Sequence, residues 1–171
     1  MSDLSSYIRD IPDFPKEGII FKDITTLLQN KDAFKEAIEA MASPFKDKKI
    51  DIVVGMEARG FIFAPALAYI LGAGTGLIRK PGKLPYKTDS VSYDLEYGSN
   101  TLEMHIDTIK EGDNVLIADD LLATGGTLGA AIELVEKHGG KIAGITFMIE
   151  LLFLNGAEKF KDYNLHSIIK Y

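Results

Sequence analysis

Apolar residues follow two different periods along this chain, and the order of those periods predicts its fold. Short continuous apolar runs, typical of buried parallel strands, occur at residues 50–55, 75–78, 115–118 and 142–150. Apolar residues at helical spacing occupy residues 31–41 and 61–71 and the segment after residue 127. This alternation predicts an α/β fold with a parallel central sheet flanked by helices, built from right-handed βαβ units.

Strict alternation of apolar and polar residues appears in only one region, where it predicts a β-hairpin. Residues 90–97 and 101–106 both alternate, with a turn expected at residues 98–100. A basic stretch from Arg79 to Lys87 precedes the first of these strands. Because the hairpin is inserted between sheet strands, we expect it (about residues 79–107 with the basic stretch) to project over the carboxyl edge of the sheet as a lid.

Candidate chemistry is concentrated directly after the buried strand at residues 115–118. Two carboxylates, Asp119 and Asp120, end this strand, and a loop of small residues leads from them into the next helix. Backbone N–H groups, hydroxyls and the helix dipole at such a loop suit a phosphate, and the acid pair is placed to hold a diol or a metal. The combination predicts a site for a phosphorylated ribose, with the phosphate held by Ala123, Thr124, Gly125, Gly126 and Thr127.

Two familiar phosphate loops do not match this segment. A Walker A loop requires lysine before the final hydroxyl residue, where this chain has Gly126. The dinucleotide fingerprint requires three glycines in a G-x-G-x-x-G pattern, which residues 123–127 do not supply. A glycine-rich turn beside an exposed acid pair is the simpler alternative, and the register of strand, acids, loop and helix argues against it.

Composition limits the classes of protein to consider. The 171 residues are 46% hydrophobic and 26% charged, which is typical of one soluble globular domain. The net charge of −6 argues against a nucleic-acid partner, and zero cysteines exclude disulfides. Residues 60–78 carry no charge, but Pro65 and a glycine cluster at 72–76 favour a buried helix, turn and strand over a membrane span. Without a signal-peptide pattern at the start, we expect a cytoplasmic protein.

The strand–acid–loop segment resembles the phosphoribosyl-pyrophosphate (PRPP) motif of type I phosphoribosyltransferases. Four further segments look like the members of that family that act on adenine, and they occur in the family's order: residues 14–24, 56–61, 78–85 and 92–98. The resemblance implies the type I phosphoribosyltransferase fold over residues 1–171 as a single domain, with a base-binding segment at about residues 1–30.

The same resemblance implies a reaction. The 5-phosphoribosyl group of PRPP would be transferred to adenine, giving AMP and pyrophosphate in purine salvage. Mg²⁺ would be held mainly by PRPP, with no dedicated protein metal site. The three histidines show no ligand spacing. Family members are typically homodimers, so a homodimer is expected, with neither a nucleic-acid nor a membrane partner.

Roles for individual residues follow from the resemblance together with the local pattern. Asp119 and Asp120 would hold the ribose hydroxyls, and Glu96 would contact adenine or its departing N–H proton. The pyrophosphate would be bound by Arg59, Arg79, Lys80 and Lys83. Adenine would be bound by Ile20, Phe21, Lys22 and Leu121.

Several alternatives remain open at this point. The basic stretch could be a solvated loop, and Arg59 could instead form a structural ion pair with Glu57. The same fold could serve a transferase for xanthine, hypoxanthine or orotate, for which residues 14–24 and Glu96 are less suited. It could also be a PRPP-sensing regulator, although such proteins usually add a DNA-binding module and none is evident here.

Overall fold

The computed structural model describes residues 3–94 and 99–171 and divides the chain into two compact units, residues 1–40 and 41–171. The first unit contains an antiparallel pair, β1 (Arg9–Pro12) and β2 (Ile20–Asp23), followed by helices α1 (Thr25–Gln29) and α2 (Lys31–Ala42). Two ion pairs link these strands: Arg9 Nη2 lies 2.5 Å from Asp23 Oδ2, and Lys22 Nζ lies 2.7 Å from Asp10 Oδ1. The strands therefore lack the alternating apolar pattern by which a strand is usually predicted. Helix α2 was predicted, whereas both strands were missed.

The second unit is built on the predicted parallel sheet. Its strands in chain order are β3 (Ile52–Met56), β4 (Gly74–Ile78), β7 (Asn114–Leu122), β8 (Lys141–Glu150) and β9 (Leu165–Lys170), with the hairpin strands β5 and β6 described below. The spatial order is β4-β3-β7-β8-β9. Helices α3 (Gly60–Leu71) and α4 (Gly126–Lys137) connect consecutive parallel strands. The fold prediction is therefore confirmed, and β9 is the sheet strand that the pattern did not reveal.

The predicted hairpin is present as β5 (Thr88–Asp94) and β6 (Ser99–His105), paired so that Val91 faces Leu102. The turn expected at residues 98–100 was partly wrong, because Ser99 and Asn100 already belong to β6. Glu96 and its neighbours at 95–98 lie outside the described residues. Val91, Leu102 and Met104 are buried in the same apolar cluster as the inner side of α4. The base of the hairpin is therefore part of the core, and lid closure remains a prediction.

Among the helices of residues 3–94 and 99–171, none is long and apolar enough to cross a bilayer.

Sheet register brings the two chemically rich segments together. Strands β3 and β7 are direct neighbours, with Gly55 opposite Ala118. Both strands are apolar and buried up to this point, and both then continue into polar residues. Because parallel strands end at the same edge of a sheet, the residues after Gly55 and after Ala118 lie side by side.

Candidate active site

A cavity of about 340 Å³ lies at this carboxyl edge, inside the second unit. Its walls are formed by residues 56–59 at and after the end of β3, by residues 119–128 at the end of β7 and the start of α4, and by Phe147 of β8. We call the first of these the β3 wall and the second the β7 wall. The cavity is large enough for a sugar phosphate, and it holds both acids and the whole predicted phosphate loop.

The acid pair on the β7 wall combines two different environments. Asp120 is buried and forms an ion pair with the Arg59 guanidinium of the β3 wall. The Oδ1 of Asp119 accepts a hydrogen bond from the Asp120 N–H at 2.8 Å. Burial and the nearby Asp120 carboxylate raise the pKa of Asp119 well above its usual range. The two acids are thus electrostatically distinct although they are adjacent in sequence.

The phosphate loop is held in a conformation that requires glycine. Gly125 has φ of +83° and stands immediately before α4, which begins at Gly126. A Cβ built at Gly125 would also lie 2.7 Å from Phe160 Cε2, closer than atoms can pack. Within the described part of the chain, no side chain caps this helix start. The first N–H groups of α4 therefore face the cavity without a side-chain acceptor, which suits an incoming anion.

One hydroxyl of the loop already has a partner. Tyr93 of β5 brings its phenol oxygen to 3.1 Å from Thr127 Oγ1. Its ring covers Gly126, where an added Cβ would lie 3.0 Å from Tyr93 Cδ2. The hairpin thus contacts the phosphate loop through the Tyr93 side chain.

Glu57 organises the β3 wall. Its carboxylate accepts hydrogen bonds from Lys83 Nζ at 2.8 Å, Arg79 Nε at 3.1 Å and the Lys80 N–H at 3.1 Å. These contacts with Lys83, Lys80 and Arg79 outweigh the burial of the group and lower the pKa of Glu57 to about 2. The peptide bond between Glu57 and Ala58 is cis.

The contacts bear on two alternatives raised by the sequence: an ion pair between Arg59 and Glu57, and a basic stretch that is only solvated. Arg59 pairs with Asp120, while the described contacts of Glu57 are with the 79–83 segment. Arg79 and Lys83 are also not simply solvated, because both reach the partly buried Glu57 carboxylate at the cavity wall. The basic stretch is therefore attached to the site through Glu57.

The structure unites some predicted site residues and leaves others elsewhere. Arg59, Asp119, Asp120, Leu121 and the loop 123–127 line one cavity. Ile20, Phe21 and Lys22 lie in β2 of the first unit, and Glu96 is outside the described residues. The pattern missed the central position of Glu57 and the supporting contacts of three residues that are distant in sequence: Tyr93, Lys159 and Phe160. None of these carries a local signal, because each contact depends on tertiary packing.

Comparisons with known proteins agree with this geometry. The family model of the phosphoribosyl transferase domain matches residues 23–170. An adenine phosphoribosyltransferase of Acetivibrio thermocellus is 58% identical over 170 residues, which cover 99% of each chain.

Solved structures extend the similarity to three dimensions. The crystal structure of adenine phosphoribosyltransferase from Thermoanaerobacter pseudethanolicus is 50% identical, with a TM-score of 0.95 over 99% of this chain and 98% of that one. The Saccharomyces cerevisiae enzyme, complexed with D-2,5-dideoxy-2,5-imino-altritol 1,6-bisphosphate and adenine, is 39% identical, with a TM-score of 0.91 over 97% and 96%. This chain therefore belongs to the phosphoribosyltransferase family, among its adenine phosphoribosyltransferases.

Proposed function

We propose that this protein transfers the 5-phosphoribosyl group of PRPP to N9 of adenine, releasing AMP and pyrophosphate. The observation that carries the proposal is the single cavity that joins an anion-binding helix start, an acid pair and a cation-bearing wall. The Saccharomyces cerevisiae enzyme of known structure is complexed with adenine together with a bisphosphate. That pair of ligands favours adenine over the other bases considered above.

The β7 wall supports binding of the ribose phosphate. The N–H groups at the start of α4 and the loop 123–127 would hold the 5′-phosphate, with Thr124 and Thr127 adding hydroxyl donors. Asp119 and Asp120 would accept hydrogen bonds from the 2′- and 3′-hydroxyls. As the bond from C1′ to pyrophosphate breaks, positive charge develops on the ribose, and the neighbouring carboxylates would stabilise it.

The β3 wall supports the leaving group. Arg59 borders the cavity, and Glu57 holds Arg79 and Lys83 beside it. Pyrophosphate would gain negative charge as it departs, and Arg59, Arg79, Lys80 and Lys83 would stabilise that charge. The electron pair of the broken bond leaves with pyrophosphate, and N9 of adenine forms the new bond to C1′.

The N9 proton of adenine must be accepted as the new bond forms. Glu96 is proposed for that contact from the resemblance alone. Ile20, Phe21, Lys22 and Leu121 would bind the base. The Lys22 side chain forms an ion pair with Asp10, so its main-chain groups are the ones offered for base recognition.

Mg²⁺ is proposed to enter as part of the PRPP substrate. Among residues 3–94 and 99–171, no three His, Cys, Asp or Glu side chains are grouped to hold a metal. The acid pair could complete the coordination of an ion that arrives on the diphosphate, and such an ion would neutralise charge on the leaving group. Charged substrates of this kind do not cross membranes unaided, so we place the reaction in the cytoplasm.

A homodimer is proposed on the strength of one exposed apolar face. Ile62, Pro65 and Tyr69 lie on the same side of α3, and the Tyr69 side chain is 88% exposed. Sedimentation should give twice the chain mass. Tyr69→Asp should shift the protein toward monomer, whereas Glu133→Gln, at an exposed position of α4, should not. A wild-type monomer would contradict the proposal.

The reaction is tested by incubating the protein with PRPP, Mg²⁺ and a panel of adenine, hypoxanthine, xanthine and orotate. We expect AMP and pyrophosphate in equal amounts with adenine, little product with the other bases, and none when Mg²⁺ is chelated. An Asp119→Asn, Asp120→Asn double variant purified in parallel controls for a contaminating host transferase. Product with another base in preference to adenine would overturn the specificity, and no product with any base would overturn the function.

A further inference from the structure

A C-terminal segment packs behind the phosphate loop, on the side away from the cavity. We call residues 151–160 the brace. It begins where the Leu151 N–H donates to the Leu122 carbonyl at 3.0 Å, just before the loop starts. It ends in a short 3₁₀ helix at Gly156–Phe160, whose residues contact the loop at several points. The residues that line the cavity do not include any residue of the brace.

Contact between the brace and the loop is at backbone distance. A Cβ built at Gly156 would lie only 2.0 Å from the Ala123 carbonyl oxygen, so no other residue fits there without moving the loop. Gly156 O would in turn lie 3.0 Å from a Cβ at Gly125. Close packing of this kind fixes where the loop lies, but it does not by itself fix which way each peptide plane is turned.

Lys159 supplies the orientation of one peptide plane. Its Nζ donates a hydrogen bond to the Thr124 carbonyl oxygen at 3.1 Å. The peptide bond between Thr124 and Gly125 is trans, so its C=O and N–H point in opposite directions. Holding the Thr124 oxygen toward Lys159 therefore turns the Gly125 N–H away from Lys159. The reverse orientation would present a carbonyl oxygen to an anion, which repels it.

We infer that Lys159 is a positioning residue for the 5′-phosphate, acting through the Thr124 carbonyl to keep the Gly125 N–H available to the ligand. The inference rests on the function proposed above and assigns a task to a residue outside the cavity walls. Lys159 lies on the exposed surface of the brace, so replacing it leaves the core packing intact.

A neighbouring lysine provides a matched control. Lys161 lies two positions further along the chain, is similarly exposed, and forms its ion pair with Glu158. Removing either lysine changes the net charge equally and changes the long-range field near the loop to a similar degree. Of these two lysines, Lys159 is the one that donates a hydrogen bond to the loop, whereas the described ion pair of Lys161 is with Glu158. A difference between the two variants therefore isolates the hydrogen bond from general electrostatics.

The experiment compares Lys159→Met, Lys159→Arg and Lys161→Met with the wild type. Steady-state kinetics give kcat and separate KM values for PRPP and adenine, and calorimetry gives Kd for ribose 5-phosphate, which carries the phosphate without the pyrophosphate. For Lys159→Met we expect KM for PRPP and Kd for ribose 5-phosphate to rise together by about three- to tenfold. We expect kcat and KM for adenine to change by less than about twofold. Arginine should restore binding, and Lys161→Met should behave as wild type.

Three results would overturn the inference: unchanged PRPP and ribose 5-phosphate binding in Lys159→Met, an equal defect in Lys161→Met, or no recovery with arginine. These results are distinguishable from failure of the proposed function. A wild-type protein that does not turn over PRPP removes the function itself, whereas an active wild type with a normal Lys159→Met variant removes only the task given to Lys159.

Discussion

The Glu57 carboxylate on the β3 wall of the cavity is stabilised in its charged form by the protein, whereas the Asp119 carboxylate on the β7 wall is destabilised in its charged form. Glu57 accepts from Lys83, Arg79 and the Lys80 N–H, and those partners lower its pKa to about 2. Asp119 is buried near a second carboxylate, and its pKa is raised. The start of α4 has no side-chain cap among the described residues. The contacts of Glu57 on the β3 wall therefore stabilise the folded protein. On the β7 wall, the Asp119 carboxylate and the uncapped start of α4 reduce its stability and are placed to bind a substrate.

The largest effect should come from removing the acids of the β7 wall. In the Asp119→Asn, Asp120→Asn double variant, kcat/KM for PRPP should fall by at least about 100-fold, because two charges that stabilise the developing positive ribose are lost. Initial rates with adenine and saturating Mg²⁺ measure this. Glu133→Gln, on the exposed side of α4, should keep wild-type activity. A double variant within about tenfold of wild type would remove the role given to the pair.

The next largest effect should be a loss of stability on the β3 wall. Glu57→Gln should lower the free energy of unfolding by about 1–3 kcal/mol at neutral pH, because the ionised carboxylate is bound more tightly in the folded state than in the unfolded state. Because the pKa of Glu57 is lowered from 4.5 to about 2, its charge stabilises the folded state at pH values above 4.5. That contribution disappears as the pH falls toward about 2.

Urea unfolding at neutral pH and at about pH 2.5 tests this dependence. The gap between wild type and Glu57→Gln should narrow in acid. Glu133→Gln, with its carboxylate exposed, should show no comparable gap at either pH. A pH-independent gap would mean that Glu57 contributes through packing and not through its charge.

For Asp119 we expect substitution to change the free energy of unfolding in the opposite direction. Replacing it with asparagine should raise the free energy of unfolding by about 1 kcal/mol at neutral pH, because a buried charge is removed while the acceptor for the Asp120 N–H is kept. A raised pKa means that the gain is present above the folded-state pKa and disappears as the pH falls toward the ordinary value of 3.8.

Asp120→Asn is the matched control for this prediction, since it removes the carboxylate that pairs with Arg59 and should destabilise the protein. Both free energies are obtained from the same urea titrations. If Asp119→Asn destabilised the protein and Asp120→Asn stabilised it, the opposite effects proposed here for the two carboxylates on stability would be wrong.

The smallest effect should come from the hydroxyl that joins the hairpin to the loop. Tyr93→Phe removes the contact with Thr127 and should cost about 0.5–1 kcal/mol of stability. It should also raise KM for PRPP about two- to threefold, because Thr127 loses a partner that orients its hydroxyl.

Tyr163→Phe provides the comparison for this last variant. Its phenol donates to Glu136 Oε1 at 3.1 Å on the same helix, away from the loop. A similar loss of stability without any change in KM is expected there. Equal KM changes in both variants would show that the Tyr93 contact has no specific effect on the loop.

Sequence patterns predicted the parts of this molecule that depend on local order. Strands β3, β4, β7 and β8 contain apolar runs because the sheet is buried, and the acid pair lies within β7, which is followed directly by the loop. Strand β9 was missed because an edge strand with a half-exposed pattern leaves no continuous apolar run. Strands β1 and β2 were missed because ion pairs link them in place of an apolar face.

The sequence was a better guide to which residues belong to the site than to which of them contact each other. Glu57 was considered as a partner for the neighbouring Arg59, but its described partners lie more than twenty residues away. Lys159 reaches Thr124 across 35 positions. Such pairings depend on where the sheet brings distant segments together, and a charge on an exposed stretch gives no indication of its partner.

The burial of the hairpin base limits how this protein can be shortened. Val91, Leu102 and Met104 share one apolar cluster with the inner side of α4. Deleting the hairpin to obtain a smaller enzyme would uncover the helix that begins at the phosphate loop and leave its apolar side chains in water. A trimmed version should therefore aggregate before its catalysis could be measured, unless replacement side chains cover α4.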